Sequence, residues 1–321
     1  MNKRSPWWLY PNLLSLDAPI VAVVWMWILA KSLRVDYVED YAYWLVAASV
    51  WCVYVLDRIF DVVRFRATHG KDVSLTERHQ FHWKYRKILL VIVATVVTAS
   101  VYTAFNIASE ALLSVGLVGV LLVLFYIQVR KIDSGEIAYI KNFMAGMIFA
   151  YGVSAPIIVE SVVLPKYFNN DVWYHLSNQE NLPFLTALVN GLFNFGLMAI
   201  GSIANVFFMS PILPVLFGLL CFLNITAIDL WEKSRSTDDK EEKESYEAML
   251  GLGLLILVGL SVFTMANYLS ELERIFCYVL MVAAAMLQLL NKYRSRFYLN
   301  AQRVLADLIL ILPVPLVWLL A

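Results

Sequence analysis

Two carboxylates four residues apart, Asp57 and Asp61, end an apolar stretch of the chain (WCVYVLDRIFD, 51–61). On a helix that spacing places both on one face, one turn apart. Acids inside a membrane are costly, and those that persist usually face a polar cavity and have a chemical task there. The stretch that follows, 62–87, carries seven basic residues (Arg64, Arg66, Lys71, Arg78, Lys84, Arg86 and Lys87) against two acidic ones, Asp72 and Glu77. A second polar constellation lies in NITAIDLWEK (224–233), with Asn224 inside an apolar run, Asp229 near its end and Glu232 three residues on. Two carboxylate clusters with cations beside them suit one chemistry well. Hard oxygen ligands hold Mg²⁺, which keeps some of its water and bridges to substrate phosphates. Metal and Arg or Lys together then stabilise a departing diphosphate.

Plainer roles compete at each position. Asp57 can pair with Arg58 or Arg64 as a membrane-edge ion pair, and Asp229 and Glu232 can form a solvated helix end. Asp238, Asp239, Glu241, Glu242 and Glu244 read as a solvated linker. In TERHQFHWKYRK (76–87), Arg78 and His82 share a helical face, and Arg78, His79, His82 and Lys84 could close over a phosphate group or simply set topology. His79 and His82 have no evident further ligands for a metal. Tyr54, Tyr126, Tyr151 and Asn224 either line a cavity or make ordinary interhelical contacts.

The elements that must position these groups are apolar helices. The 321 residues are 61% hydrophobic with mean hydropathy +0.69, well above an ordinary soluble domain. The reading is an all-α, polytopic membrane bundle of about nine transmembrane helices forming a single domain, 1–321. Expected spans are 18–33, 41–63, 88–105, 111–129, 142–164, 211–231, 248–268, 272–290 and 304–320. Segment 184–209 is expected not to cross, because a crossing would invert the charge of every later connection; its Asn and Gly residues suit a re-entrant helix buried against protein. Segments 62–87 and 232–247 are expected as cytoplasmic loops that cap the site. Lys and Arg concentrate in 62–87, at Arg130, Lys131 and Lys141, and at Lys292, Arg294, Arg296 and Arg303. By the positive-inside rule the N-terminus is cytoplasmic, and so are the ends carrying Asp57, Asp61, Asp229 and Glu232. Residues 1–17, with Trp7, Trp8 and Tyr10, suit the headgroup belt and make a poor signal peptide, so the first span is expected to anchor the chain. Lys+Arg and Asp+Glu balance at 25 each, so the placement of charge, and not its total, carries information. Cys52, Cys221 and Cys277 lie in apolar runs and suggest no disulfide or metal framework.

YVLDRIFD followed by a basic segment resembles the first aspartate motif of the UbiA superfamily of intramembrane prenyltransferases, NDxxDxxxD. Asp57 and Asp61 are matched to its aspartates, Leu56 stands where the family has Asn, and Phe65 stands at the spacing of the final Asp. NITAIDLWE resembles the second motif, DxxxD, through Asp229, with Glu232 one residue short of the family spacing. YIKNFMAGMIFAYGV (139–153) resembles the entry to the family's fifth span, which implies that Lys141 is a basic residue near the diphosphate. The resemblance implies a UbiA-like fold and a Mg²⁺-dependent enzyme that ionises an isoprenoid diphosphate. Asp57, Asp61, Asp229 and Lys141 would be catalytic, and Asp57, Asp61, Asp229 and Glu232 would ligate metal. Arg58, Arg64, Arg78, His79, His82, Asn224, Tyr54 and Tyr126 would contact substrate. The ionised prenyl group would pass to a lipophilic, aromatic acceptor; the alternative is cyclisation without acceptor, as in the superfamily's terpene cyclases. A transporter and a non-catalytic membrane protein are the competing classes. A CDP-alcohol phosphotransferase is excluded, since its DG…AR…G…D…D run is absent. The expected partners are an isoprenoid diphosphate and the lipid bilayer, with no nucleic acid. The expected location is a bacterial inner membrane with the site facing the cytoplasm, and the chain specifies no oligomeric state.

Overall fold

In a computed structural model, residues 6–35, 38–69, 76–106, 138–158 and 212–320 are described. They form helices and short connections, with no strand among the described residues. After a 3₁₀ turn (Trp7–Leu9) come α1 (Tyr10–Leu13), α2 (Asp17–Ser32), α3 (Asp40–His69), α4 (Glu77–Asn106), α5 (Ala138–Ile158) and α6 (Ile212–Ser236). Then follow α7 (Lys240–Asn267), α8 (Glu271–Tyr293), α9 (Leu299–Ile311) and α10 (Val314–Leu320).

Five helical stretches are long and apolar enough to cross a membrane, or six if the bent pair Trp7–Leu13 and Asp17–Ser32, kinked by 78°, is one span. The nine expected spans are therefore not reached among the described residues. The expected fourth span and segment 184–209 lie outside them. The second and fifth are present as α3 and α5 but are not among the five, and in α3 Asp57, Arg58 and Asp61 interrupt the apolar stretch.

The expected loops are largely helix. α3 continues to His69 and α4 begins at Glu77, so most of 62–87 is two helix ends. α6 reaches Ser236 and α7 starts at Lys240, leaving three linking residues. Arg, Lys and Glu are strong helix formers and prolong helices beyond the apolar zone. Asp239 caps α7 by accepting the Glu241 backbone N–H at 2.9 Å.

α2 lies at the centre, packed against α3, α5, α8 and α9. Trp25, wholly buried, stacks on Phe217 of α6 at 4.4 Å between ring centres and meets Phe276 of α8 edge-on at 5.4 Å. Its Nε1–H donates to the Leu310 carbonyl of α9 at 3.0 Å. That carbonyl lies in the last turn of α9, where helical donors end near Pro313. α5 and α6 approach closely through glycines. A Cβ at Gly146 would stand 2.6 Å from the Phe222 backbone nitrogen and 2.7 Å from the Gly218 carbonyl oxygen, the small-residue contact that brings membrane helices together. The outer faces remain apolar: Val91 and Tyr102 of α4 are 67% and 68% exposed, and Leu255 of α7 is 68% exposed. Water would drive such faces inward, whereas lipid tolerates them.

Candidate functional site: a charged helix-end cluster

The polar side chains gather where the starts of α2, α4, α5 and α9 meet the ends of α3 and α6. The cluster begins at the α1–α2 turn. The Ser15 N–H donates to the Asn12 carbonyl at 3.2 Å and the Leu16 N–H to the Pro11 carbonyl at 2.8 Å, the two bonds of a Schellman turn. Ser15 holds the left-handed position usual for glycine, at φ 58°. Arg58 of α3, 6% exposed, clamps this turn. Its Nη1 donates to the Asn12 carbonyl at 2.5 Å and to Ser15 Oγ at 2.8 Å, and Nη2 lies 4.0 Å from Asp17 Oδ2. Asn12 Nδ2 also donates to Asp17 Oδ2, at 2.6 Å. His82 of α4 is fully buried; its Nδ1 donates to the Arg78 carbonyl at 2.8 Å, and Nε2 meets Ser15 Oγ at 3.0 Å. A neutral ring bonded this way takes the serine hydroxyl hydrogen at Nε2. Arg58 and His82, expected to contact substrate, thus hold the α1–α2 turn against α3 and α4.

Toward the open end, His79 bonds Thr76 Oγ1 through Nδ1 at 2.9 Å, and its Nε2 lies 3.9 Å from Asp61 Oδ2. Two guanidinium groups lie over the Trp83 ring, Arg66 of α3 at 4.6 Å and Arg86 of its own helix at 4.2 Å from the ring centre; the Arg66 cation–π contact joins the end of α3 to the start of α4. Asp57 and Arg64 are half buried on α3, and Lys141 is half buried on α5. Asp229 of α6 accepts Asn142 Nδ2 of α5 on Oδ2 at 2.7 Å and interacts with Lys233. Glu232 Oε1 accepts Nε of the nearly buried Arg303 at 3.2 Å, and a short bond from its Nη2 completes the pair. Asn300, one turn before Arg303, reaches Glu77 at the start of α4 at 3.3 Å.

Arg78 links the parts. Its charge acts on Asp61 of α3 and on Asp229 of α6, and it feels Arg303, Arg58, Glu232 and Asp17 in turn. The two acidic clusters, far apart in the chain, thus lie within the electrostatic reach of one buried arginine.

A deeper layer lies behind Arg58. Tyr54, Asn224, Cys221 and Asp307 line a gap of about 30 Å³ closed by Ala18, Val21, Phe149, Ile225 and Leu310. Asn224 Nδ2 donates to Asp307 Oδ1 at 3.3 Å, and the Asp307 and Asp17 carboxyl groups stand within hydrogen-bonding reach of each other. Tyr54 and Asn224, both expected at the site, therefore meet in one small polar gap. Tyr126 lies outside the described residues.

Asp17, Asn142, Arg303 and Asp307 join the cluster although they are not among the site residues expected from sequence. Asp307 had a signal: a lone acid in LADLILIL is costly enough to ask what it does. Asn142 had none beyond adjacency to Lys141.

Mg²⁺ can be tested against the donors present. Among the described residues no three His, Cys, Asp or Glu side chains converge on one point, so a closed protein cage is not built. Mg²⁺ needs less, since one or two carboxylates suffice when substrate phosphates complete the shell. Asp61 and Asp229 suit that open arrangement, whereas Glu232 is engaged by Arg303. The chain matches no protein-family model, no curated protein and no solved structure.

Proposed function

We propose that this protein is an intramembrane enzyme that ionises an isoprenoid diphosphate at the charged helix-end cluster. The observation that carries this reading is the run of contacts between the two acidic helix ends: His79 lies 3.9 Å from Asp61, Asn300 reaches Glu77 at the start of the same helix, and Arg303, one turn after Asn300, pairs with Glu232 beside Asp229. A diphosphate is the ligand that acids and guanidinium groups can hold together, provided divalent cations accompany it. Asp57, Asp61 and Asp229 would hold Mg²⁺ entering with the substrate. When bound, it supplies neutralisation of charge on the leaving diphosphate. Arg78 and Lys141 bind phosphate oxygens, and Arg64 adds to the positive field. The allylic C–O bond breaks, its electron pair leaves with the diphosphate, and the prenyl cation stays in the apolar bundle, out of water. A lipophilic aromatic acceptor then forms the new bond and loses a proton; the alternative is capture by a double bond of the prenyl chain itself, which cyclises it. The charged end faces the cytoplasm in this reading, with segments 62–87 and 232–247 around the entrance, and the fold is UbiA-like with nine spans.

The test is release of diphosphate by purified protein from geranyl, farnesyl and geranylgeranyl diphosphates, with Mg²⁺ or with EDTA, and with or without lipophilic phenols. Release in Mg²⁺ alone is expected, and it falls on the order of 10²-fold in Asp61→Asn and in Arg78→Ala. Products formed without a phenol would assign the cyclisation route. Failure to release diphosphate from all three substrates would overturn the reading.

A further inference from the structure

We propose that the junction of α3 and α4 around Trp83 binds one anionic phospholipid, its phosphate held by Arg66, Arg86 and Lys87 and an acyl chain lying along Leu90 and Val91. None of these residues is assigned to the diphosphate, so the two readings stand or fall separately.

The first observation is a meeting of cations. Arg66 of α3 lies 4.6 Å and Arg86 of α4 lies 4.2 Å from the Trp83 ring centre. The two guanidinium carbons are therefore no further apart than the sum of those distances. Lys87, the next residue after Arg86, is exposed.

The second observation is that the protein leaves these charges uncompensated. The buried Arg66 Nε has no hydrogen-bond acceptor among the described residues. Arg86 Nη1 donates to the Trp83 carbonyl at 2.7 Å, a neutral acceptor. Among the described residues, none of the three cations has a carboxylate within 4.0 Å. Elsewhere at this end arginines do meet carboxylates: Arg58 lies beside Asp17, Arg294 beside Glu247 and Arg303 beside Glu232. Like charges gathered at the edge of a low-dielectric region repel, and an anion among them removes that repulsion.

What adjoins the cations names the anion. Trp83, Lys87, Leu90 and Val91 fall at i, i+4, i+7 and i+8, so they share one face of α4. Leu90 and Val91 are 43% and 67% exposed, an apolar surface that begins one turn further into the helix than the cations. Indole rings settle at the headgroup level of a bilayer, and Lys and Arg just beyond a span attract anionic headgroups. A small soluble anion would meet the three cations alone. A phospholipid meets the cations with its phosphate and the α4 face with its chain, matching charge to charge and hydrocarbon to hydrocarbon.

The experiment uses the full chain purified in a neutral detergent, freed of lipid and kept in EDTA. It is titrated separately with phosphatidylglycerol, phosphatidylcholine, inorganic phosphate and inorganic diphosphate. Bound lipid is counted by native mass spectrometry, and thermal unfolding is followed on the same samples. Phosphatidylglycerol is expected to be retained at one molecule per chain and to raise the melting temperature by on the order of a few degrees. Phosphatidylcholine and inorganic phosphate at the same concentration should do neither. Arg66→Gln, Arg86→Gln and Lys87→Gln should each weaken phosphatidylglycerol binding about fivefold. Lys240→Gln, which removes an 88% exposed cation at the start of α7, should leave it unchanged. Because Lys87 is exposed, Lys87→Gln decides if the arginine variants do not fold. The inference fails if phosphatidylcholine binds equally well, or if inorganic phosphate stabilises the protein as much as the lipid. It fails equally if Lys240→Gln weakens binding as much as the site variants do. Displacement of phosphatidylglycerol by diphosphate would place a different anion at Trp83 and overturn it too.

Discussion

Ser15 shows how one residue can serve geometry and chemistry together. A left-handed backbone costs a non-glycine residue about 1–2 kcal/mol, and glycine would avoid that cost. The serine hydroxyl, however, receives Arg58 and meets His82, so the strained residue supplies the partner for two buried groups. Ser15→Ala should keep the strain and lose the hydroxyl, destabilising the protein by about 2–3 kcal/mol. Ser15→Gly should lose the hydroxyl but relieve the strain, costing about 1 kcal/mol less. Unfolding in mixed micelles measures both; equal losses would mean that the turn is unstrained. Glu232 poses a similar question against Asp229. Glu232→Gln deprives the nearly buried Arg303 of its counter-charge, and we expect a stability loss of about 2 kcal/mol, moderated because Glu232 itself is 38% exposed. Asp229→Asn keeps an acceptor for Asn142 and should change stability little while lowering diphosphate release. The opposite pattern, a stable Glu232→Gln and an unstable Asp229→Asn, would exchange the two roles.

At the scale of elements, the α5–α6 contact sets the site. Asn142 lies one turn before Gly146, so the glycine contact that draws the helices together also delivers Asn142 to Asp229. Gly146→Ala drives a methyl group to 2.6 Å from backbone nitrogen, which no side-chain motion relieves. The helices must part, with an expected cost of about 2–3 kcal/mol and loss of the Asn142–Asp229 bond. Gly152→Ala, with nothing within 4 Å of the added atom, is the control: it should be neutral or stabilise the helix by up to about 1 kcal/mol. If the two variants melt together, the close approach is not a constraint. The extended ends of α3 and α4 work the same way, for the Arg66–Trp83 contact joins the two helix ends where Asp61 and His79 face each other.

At the scale of the molecule, one end is crowded with charge and the flanks are bare hydrocarbon. α7 runs from the charged end to the turn at Tyr268, so its two ends should lie on opposite sides of the membrane. Cys52, Cys221 and Cys277 are buried, which leaves introduced cysteines to report. Asp238→Cys should react with a membrane-impermeant maleimide from the cytoplasmic side alone, and Tyr268→Cys from the outside alone. Labelling of both from one side would remove α7 as a span and undo the orientation derived from Lys and Arg.

The sequence by itself determined the helical, apolar character of the chain and where its charges interrupt it, because hydropathy and spacing are local quantities. It located Asp57, Asp61, Asp229 and Glu232 as paired acids for the same reason. It did not show that the segments beyond the spans stay helical, since a charged segment reads alike as loop or helix end until capping and tertiary contacts decide. Nor could it tell the neighbouring acids apart: Asp229 faces Asn142 and Glu232 faces Arg303 because of how α5, α6 and α9 cross. The family resemblance implies that Arg58 contacts substrate, yet one residue beyond Asp57 on a helix is a turn of about 100°, and Arg58 is aimed at the α1–α2 turn. Asp307 meets Asp17 and Asn224 across long separations in the chain, a neighbourhood created when Trp25 and its contacts draw α2, α6, α8 and α9 together. Which groups share a site was decided by packing, which alone sets distances between side chains remote in sequence.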